Sequence, residues 1–406
     1  MITTTETWQR PDLSDGTDVK TRVSDILQDI AARGDTAITE ASLRFDGFEP
    51  AVIALQPFDS YPLPHELADA IRIAAHRIER FACAQRAALT DIEFADDYGH
   101  YSHRALPLER VAAYIPGGRF PLISSALMTL IPARVAGVSE RIALSPSEHP
   151  ALLAAASLAG ANRFIRIGGA QAIAAAAYGS RYCAPVDMIV GPGNAYVAQA
   201  KAQLQTRVGI DTMAGPSEVL ILADDSAPLD WIALDCLAQS EHGPDALAIL
   251  VSRSRRYLEL AEQTICERSD GARLYGRQQI QLVLAENAND AAAFSNRFAP
   301  EHLMLCDSAI SPAQLLHYGA LFIGPQSPVA LGDYLSGPNH TLPTTGAARR
   351  SGGLSPLDFL RIQTSQTIDN GPPLYQVAAV LADAEGLIHH AESLRRRGDG
   401  DADVQT

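Results

Sequence analysis

Asp187-Met188-Ile189-Val190-Gly191-Pro192-Gly193-Asn194 is a short aliphatic run that breaks at glycine. It is followed by AYVAQAKAQLQ (Ala195 to Gln205), an Ala-rich helical pattern. An apolar run of this length, bounded by turn residues, reads as a buried strand, and its continuation reads as a helix. The same couplet recurs upstream, where RIALSP leads into PALLAAASLAGA and FIRIGG into AQAIAAAAYG. A second series follows downstream: EVLILAD, PLDWIALDCLAQSEHG, ALAILVS, RRYLELAEQTICER, IQLVLAE, NDAAAFSNRF, LMLC, PAQLLHYG and ALFIGP. Repeated βα alternation predicts parallel sheets covered by helices. Two series predict an α/β protein with two doubly wound, Rossmann-like lobes and small N-terminal and C-terminal extensions. The expected partition is an arm over 1–20, a first lobe of 21–113 with 219–350, a second lobe over 114–218, and an extension over 351–406.

The chain has 406 residues, 47% hydrophobic and 19% charged, a globular composition long enough for two domains. No stretch approaches the roughly 18 unbroken apolar residues of a membrane span. The start, MITTTETWQRPDLSDG, has neither a basic n-region nor an apolar h-region, so no secretory signal is expected. The five cysteines are scattered, without a CxxC pair, and suit free thiols in a reducing, cytoplasmic compartment. A formal charge of −15 argues against a nucleic-acid or anionic-membrane partner. After the basic run Arg395 to Arg397, the end GDGDADVQT reads as a solvated tail.

In doubly wound sheets, ligands bind beyond the carboxyl ends of the strands. Three polar glycine motifs are expected at such ends: Gly168-Gly169-Ala170-Gln171, Gly191-Pro192-Gly193-Asn194 and Ala214-Gly215-Pro216-Ser217. Glycine there lets backbone amides approach a ligand, and the following helix start favours phosphate. Each motif is equally an ordinary tight turn. A G-x-G-x-x-G fingerprint with its acidic partner is absent, so motif rules alone predict no dinucleotide.

Four places carry metal-capable or acid–base groups. Gln239 and His242, spaced i, i+3 at the end of an apolar helical stretch, share one helix face. Glu301-His302 follows Pro300; adjacent residues on a helix diverge by about 100°, so both face one site only at an element boundary. Gly332-Asp333 precedes Gly337-Pro338-Asn339-His340, and Glu385-Gly386-Leu387-Ile388-His389-His390 lies near the C-terminus. Taken singly, each has an ordinary reading: a His capping helix carbonyls, Glu301 in a first turn, Asp333 as an N-cap, His389-His390 on an exposed helix. Taken together, a chain with 11 histidines sets several beside Glu, Asp or Gln and next to Gly/Pro breaks. Zinc takes about four N and O ligands, but Gln is an uncommon one. The residues alone leave the metal open.

Read with its flanks, the run from Ile210 to His242 resembles the signature of the histidinol dehydrogenase family: ID, two residues, AGPSE, an aliphatic strand, and a helix ending in EH. AYIPGG, IPARVAGV, GGAQAIAA, VGPGNAYVAQAK, NRFAPEHL, GPQSPVALGDYLSGPNHTLPT and EGLIHHA extend the resemblance over about residues 20 to 395. It implies a zinc- and NAD-dependent enzyme that oxidises L-histidinol through the aldehyde to L-histidine. It implies Gln239, His242, Asp333 and His390 as zinc ligands, with His302 as general base and Glu301 activating water. Ser217, His340 and Glu385 would join the ligands and His302 in contacting substrate, and Tyr114, Gln171 and Asn194 would contact NAD, making 114–218 the NAD side. The resemblance also implies a homodimer with a shared site, in which the C-terminal segment meets the partner subunit and His390 serves the neighbour's zinc.

Two stretches differ from the usual pattern. Arg119-Phe120-Pro121-Leu122 follows Pro116-Gly117-Gly118, and SGGLSPLDFLRIQTSQ (Ser351 to Gln366) is modified. The first resembles relatives of the family that oxidise other polar alcohols, sulfonated diols among them; Arg119 would pair with an anionic substrate group, or else lie on the surface or at the NAD phosphates. Two readings from other classes stay open: a zinc hydrolase using Glu301 as base, and a metal-stabilised binding protein.

Overall fold

The computed structural model describes residues 2–11, 18–117, 121–212 and 215–398. The chain divides into two compact units, Met1–Arg86 with Leu108–Phe359, and Ala87–Pro107 with Leu360–Thr406. The first unit holds two six-stranded sheets, the cores of two Rossmann-like lobes.

One sheet is built from β2 (Ala51–Ile53), β5 (Arg110–Tyr114), β6 (Glu140–Ser145), β7 (Arg163–Arg166), β8 (Met188–Val190) and β9 (Gly209–Ile210), in the order β2-β7-β6-β5-β8-β9. All pairings are parallel except that of β2, which runs antiparallel to β7 at the edge. The strands are near-continuous aliphatic runs because helices cover both faces. The helix Gly169–Tyr178 is buried from Ala170 to Ala177, and alanine at its crowded positions lets neighbours approach closely. Those neighbours include the helix Val19–Arg33, started by the Asp18 carboxylate accepting from Thr21 N. Val23, Leu27 and Ile30 line one face of that helix and join Ile165, Ile173 and Val197 in a single core.

The other sheet contains β1 (Ile2–Thr4), β10 (Glu218–Ala223), β11 (Leu247–Ser252), β12 (Ile280–Leu284), β13 (His302–Cys306) and β14 (Ala320–Ile323), in the order β1-β12-β11-β10-β13-β14, all parallel. Strand alternation divides its apolar side chains between two cores. Val219, Ile221, Leu250 and Met304 enter one, and Leu220, Leu222, Ile249 and Leu303 enter the other.

The second unit has a three-stranded antiparallel sheet of β3 (Ile92–Ala95), β4 (Gly99–Pro107) and β15 (Leu360–Ile368), in the order β15-β4-β3, followed by helices Pro372–Ala384 and Ile388–Gly398. Among the described residues, no helix is long and apolar enough to cross a membrane.

The partition differs from the one expected from sequence in three places. Residues 2–4 are an edge strand, not an arm, because β1 hydrogen-bonds along β12. Residues 19–53 pack with the 110–210 sheet instead of the 219–350 lobe, through the helix face of Val23, Leu27 and Ile30 and through β2. Residues 87–107 join the C-terminal segment by pairing β4 with β15, so that unit begins at Leu360 and not at 351. Residues 12–17 of the expected arm and the tail from 399 lie outside the described residues.

Ile30→Ala should cost about 2–5 kcal/mol, the range for a buried Ile truncated to Ala. Amide exchange should quicken in Gly169–Tyr178 and Ala195–Leu204 while β10 to β13 keep their protection. Equal loosening of both sheets would contradict the placement of Val19–Arg33.

Candidate active site

The polar cluster of the 218–323 lobe lies at the amino ends of its strands, not the carboxyl ends. Glu218 opens β10, His302 opens β13, and the register pairs Val219 with His302. The chain arrives at β13 from the helix Ala288–Phe298, which stops at Ala299 in a left-handed conformation (φ 51°) before Pro300. Glu301 is therefore the last residue before the strand and His302 the first within it. This boundary lets both adjacent side chains face one site.

Glu301 and His302 are buried, 7% and 3% exposed, and Glu301 Oε2 lies 3.4 Å from His302 Nδ1. A buried carboxylate needs donors. Ser217 Oγ donates to Glu301 Oε2 at 2.7 Å, and Glu218 N donates to the same oxygen at 2.8 Å. His302 Nδ1 also lies 3.2 Å from Glu218 O. Gln239 is buried at the end of the helix Leu229–Ser240 and donates Nε2 to Ser217 Oγ at 2.8 Å. With its amide nitrogen so engaged, Gln239 has its Oε1 as the atom suited to a cation.

His242 follows just past that helix. Its Nδ1 lies 3.1 Å from Gln239 O, and its Nε2 lies 3.9 Å from Asp333 Oδ2. The other oxygen of Asp333, in the short helix Val329–Tyr334, lies 3.9 Å from His302 Nε2. Both separations exceed a hydrogen bond. His340 Nδ1 lies 2.8 Å from Asp333 O, a contact with a carbonyl that requires the proton on Nδ1 and leaves Nε2 as acceptor.

The charges in the cluster are strongly coupled. Burial pushes His302 down, but the Glu301 carboxylate, helped by Asp333, outweighs it and raises the imidazole to about 9. Burial pushes Glu301 up, and His302 together with the Glu218 amide and the Ser217 hydroxyl reverses this, holding Glu301 below the usual carboxylate value. Burial lowers His340, against the opposing pull of Asp333.

Tyr114, Gln171 and Asn194 gather instead at the carboxyl edge of the 110–210 sheet. Tyr114 ends β5 with its phenol buried, and that burial pushes its pKa up to about 12. Its hydroxyl accepts from Gly169 N at 3.2 Å. Gln171 is 1% exposed and donates Nε2 to the Asp46 carboxylate, which also accepts Gly168 N, each at 3.0 Å. The start of the helix Gly169–Tyr178 thus already faces an anion of the protein's own. Asn194 caps the helix Ala195–Leu204, its Oδ1 accepting from Tyr196 N and Val197 N at 3.1 Å each.

The turn before Asn194 is held from behind. Lys201 Nζ donates to Gly191 O at 3.0 Å and pairs with Asp211 Oδ1, and Asp211 Oδ2 accepts from Gly191 N at 2.7 Å. Both charged side chains are 2% exposed. Gly191 has φ 104°, and a Cβ there would come within 2.2 Å of Tyr114 O, so only glycine fits the turn.

Glu385 caps the helix Pro372–Ala384, and His390 lies in the helix Ile388–Gly398; both are exposed and both belong to the second unit, as does His389. Arg119 lies outside the described residues, as do Gly118 and Phe120. Leu122, 42% exposed, precedes the helix Ile123–Ala136. Sequence reading overlooked Asp46, Lys201, Asp211 and Glu218. Asp211 and Glu218 stand inside the ID…AGPSE run, so the motif held a signal for two of them.

Among the described residues, no group of three or more His, Cys, Asp and Glu is placed to hold a metal. A set completed by an amide is outside that count. His242 Nε2 and Asp333 Oδ2 face each other without bonding, and Gln239 lies one turn before His242. An imidazole nitrogen, a carboxylate and an amide oxygen suit zinc in their donor chemistry.

The histidinol dehydrogenase family profile matches residues 9–398. The histidinol dehydrogenase of Parasynechococcus marenigrum is 42% identical, over 96% of this chain and 93% of the relative. That of Thermus thermophilus is 43% identical, over 92% and 93%. The crystal structure of histidinol dehydrogenase from Elizabethkingia anophelis superposes with a TM-score of 0.87 at 31% identity, covering 96% of this chain and 94% of that one. Fold, site and these likenesses define an oxidoreductase with two Rossmann-like lobes. The chain belongs to the histidinol dehydrogenase family.

Lys201→Met leaves Asp211 buried without its partner and should cost about 3–5 kcal/mol in denaturant unfolding, as for other broken buried pairs. Lys201→Met with Asp211→Leu removes the stranded charge but also both bonds to the Gly191 backbone, so it should recover only part of that loss. A single variant as stable as the parent would show that the pair does not support the turn.

Proposed function

We propose that the protein oxidises L-histidinol through the aldehyde to L-histidine, with reduction of two NAD, in histidine biosynthesis. The observation that carries this reading is the buried Glu301–His302 pair facing Asp333, within a chain 42% identical to a named histidinol dehydrogenase. In this reading His302 takes the alcohol proton as hydride leaves the carbinol carbon. Water then adds to the aldehyde as Glu301 takes its proton, and the hydrate loses a second hydride. Ser217, His340 and Glu385 contact the substrate along with the metal-binding side chains. A zinc ion held by Gln239, His242, Asp333 and His390 would bind and orient the substrate's amino and imidazole nitrogens. Tyr114, Gln171 and Asn194 would hold NAD, which would supply the hydride acceptor.

We propose further that the protein acts as a homodimer with a shared site, His390 serving the neighbour's zinc. The second unit exposes Val377, Val380, Leu381, Leu387 and Ile388, an apolar surface suited to a second copy. The formal charge of −15 makes a nucleic acid or an anionic membrane surface an unfavourable partner. The free cysteines suit the cytoplasm.

Purified protein with L-histidinol and NAD should form two NADH per histidine, and a chelator should abolish this until zinc is restored. NADH formation on other polar or sulfonated alcohols but not on histidinol would transfer the reading to a relative of different specificity. Hydrolysis independent of NAD would replace dehydrogenation altogether.

The proton balance gives a second test. His302 acts as a base only when neutral, and Glu301 keeps it protonated to higher pH than ordinary histidine. The rate of the first hydride transfer should therefore rise as pH increases toward about 9. Glu301→Gln removes the charge that raises His302, so the rise should move to lower pH in rapid-mixing measurements of the first NADH formed. A rise that stays in place would exclude His302 as the titrating base.

A further inference from the structure

The N-terminal segment reaches the Glu301–His302 pair from behind. After β1 joins the sheet edge, Thr5 Oγ1 donates to Asp290 at 2.7 Å, and Arg297 donates to Thr5 O at 3.2 Å. Trp8 packs edge-on against Phe294 and Phe298, with ring centroids 5.4 and 5.5 Å apart. All four partners belong to Ala288–Phe298, the helix that delivers the chain to Glu301. Arg10 then lies over Phe298, 4.6 Å from the ring centre, and its Nη1 donates to Glu218 Oε2 at 2.8 Å.

Glu218 is fully buried, at 0% exposure. Its backbone touches both members of the pair, N–H to Glu301 and carbonyl toward His302. Its side chain is fixed by Arg10 on one oxygen and by Thr345 N on the other, at 3.1 Å. Burial pushes its carboxyl up, and Arg10 is the foremost group opposing this. A buried carboxylate stripped of its partner would pull away toward other donors or water, and its backbone would move with it.

We propose that Arg10 and Glu218 are positioning residues for the Glu301–His302 pair, and that residues 2–10 form a strut tying Glu218 to the helix that delivers the chain to Glu301. The proposal rests on the functional reading above for its kinetic consequence, but not for its geometry. Arg10 supplies the charge that keeps Glu218 in place, and the backbone of Glu218 supplies the two contacts that aim the pair.

The test compares Arg10→Met, Arg10→Lys and Arg10→Met with Glu218→Gln in the full-length protein. A misplacement of about 1 Å at a reacting pair costs up to about 100-fold, so Arg10→Met should lower kcat by about 10- to 100-fold. The KM values for alcohol and NAD should be unchanged. Arg10→Lys and the double variant should recover most of the kcat, the first by restoring the charge and the second by removing the need for it. The His302 Nδ1 resonance in 15N-histidine-labelled protein should shift in Arg10→Met and return in the other two. Unchanged kcat in Arg10→Met, a loss confined to KM, or no recovery in the double variant would overturn the proposal. If the parent protein oxidises no alcohol, the functional reading fails, and the His302 resonance alone decides the strut: an unmoved signal in folded Arg10→Met overturns it.

Discussion

One oxygen atom, Glu301 Oε2, receives the Ser217 hydroxyl and the Glu218 amide and lies beside the His302 ring. An ionised carboxylate removed from water is tolerable only with such donors and a nearby positive charge. Around that requirement the lobe is arranged. Ser217 is in turn held by Gln239, at the end of the helix that His242 follows. His302 faces Asp333 at 3.9 Å, and the carbonyl of Asp333 meets His340. Four chain segments, around 217, 239, 301 and 333–340, thus converge because one acid is buried at the amino end of a parallel sheet.

The 110–210 lobe solves a similar problem with different means. Its polar groups sit at the carboxyl edge, where turns must bend sharply. There Asp46 gathers Gly168 and Gln171, and the Lys201–Asp211 pair closes on both backbone groups of Gly191. In both lobes buried carboxylates order main-chain segments, and the side chains expected to meet ligands stand on those segments.

The alternation of strand and helix was legible because it is local: DMIVGPGN and EVLILAD carry their boundaries in glycine, proline and acidic residues. The pairings of β1, β2 and β4 were not, since each joins a strand to a partner distant in sequence, and nothing in ITT, AVI or GHYSHRALP names that partner. The site divides in the same way. Gln239 with His242, and Glu301 with His302, announce themselves by spacing and by a proline break. Arg10 and Glu218, or Lys201 and Asp211, pair only after the sheets have formed, and a charged residue in a sequence looks solvated until its counter-charge is known. Ser217 was expected at a carboxyl strand end; the turn that holds it does follow β9 (Gly209–Ile210), but Ser217 itself stands directly before β10, at that strand's amino end.

The position of β1 has a consequence for biogenesis. Ile2–Thr4 pair with the strand Ile280–Leu284, and Arg10 meets Glu218. Contacts of such long sequence separation form slowly, and emerging chains fold from the N-terminal side as they are made. Residues 2–10 have no such partners until residues 218–284 have followed them in synthesis. β1 can close the edge of β12 only after β12 has itself been made, so strand closure comes late in folding, after both members of the charge pair behind Glu301 exist.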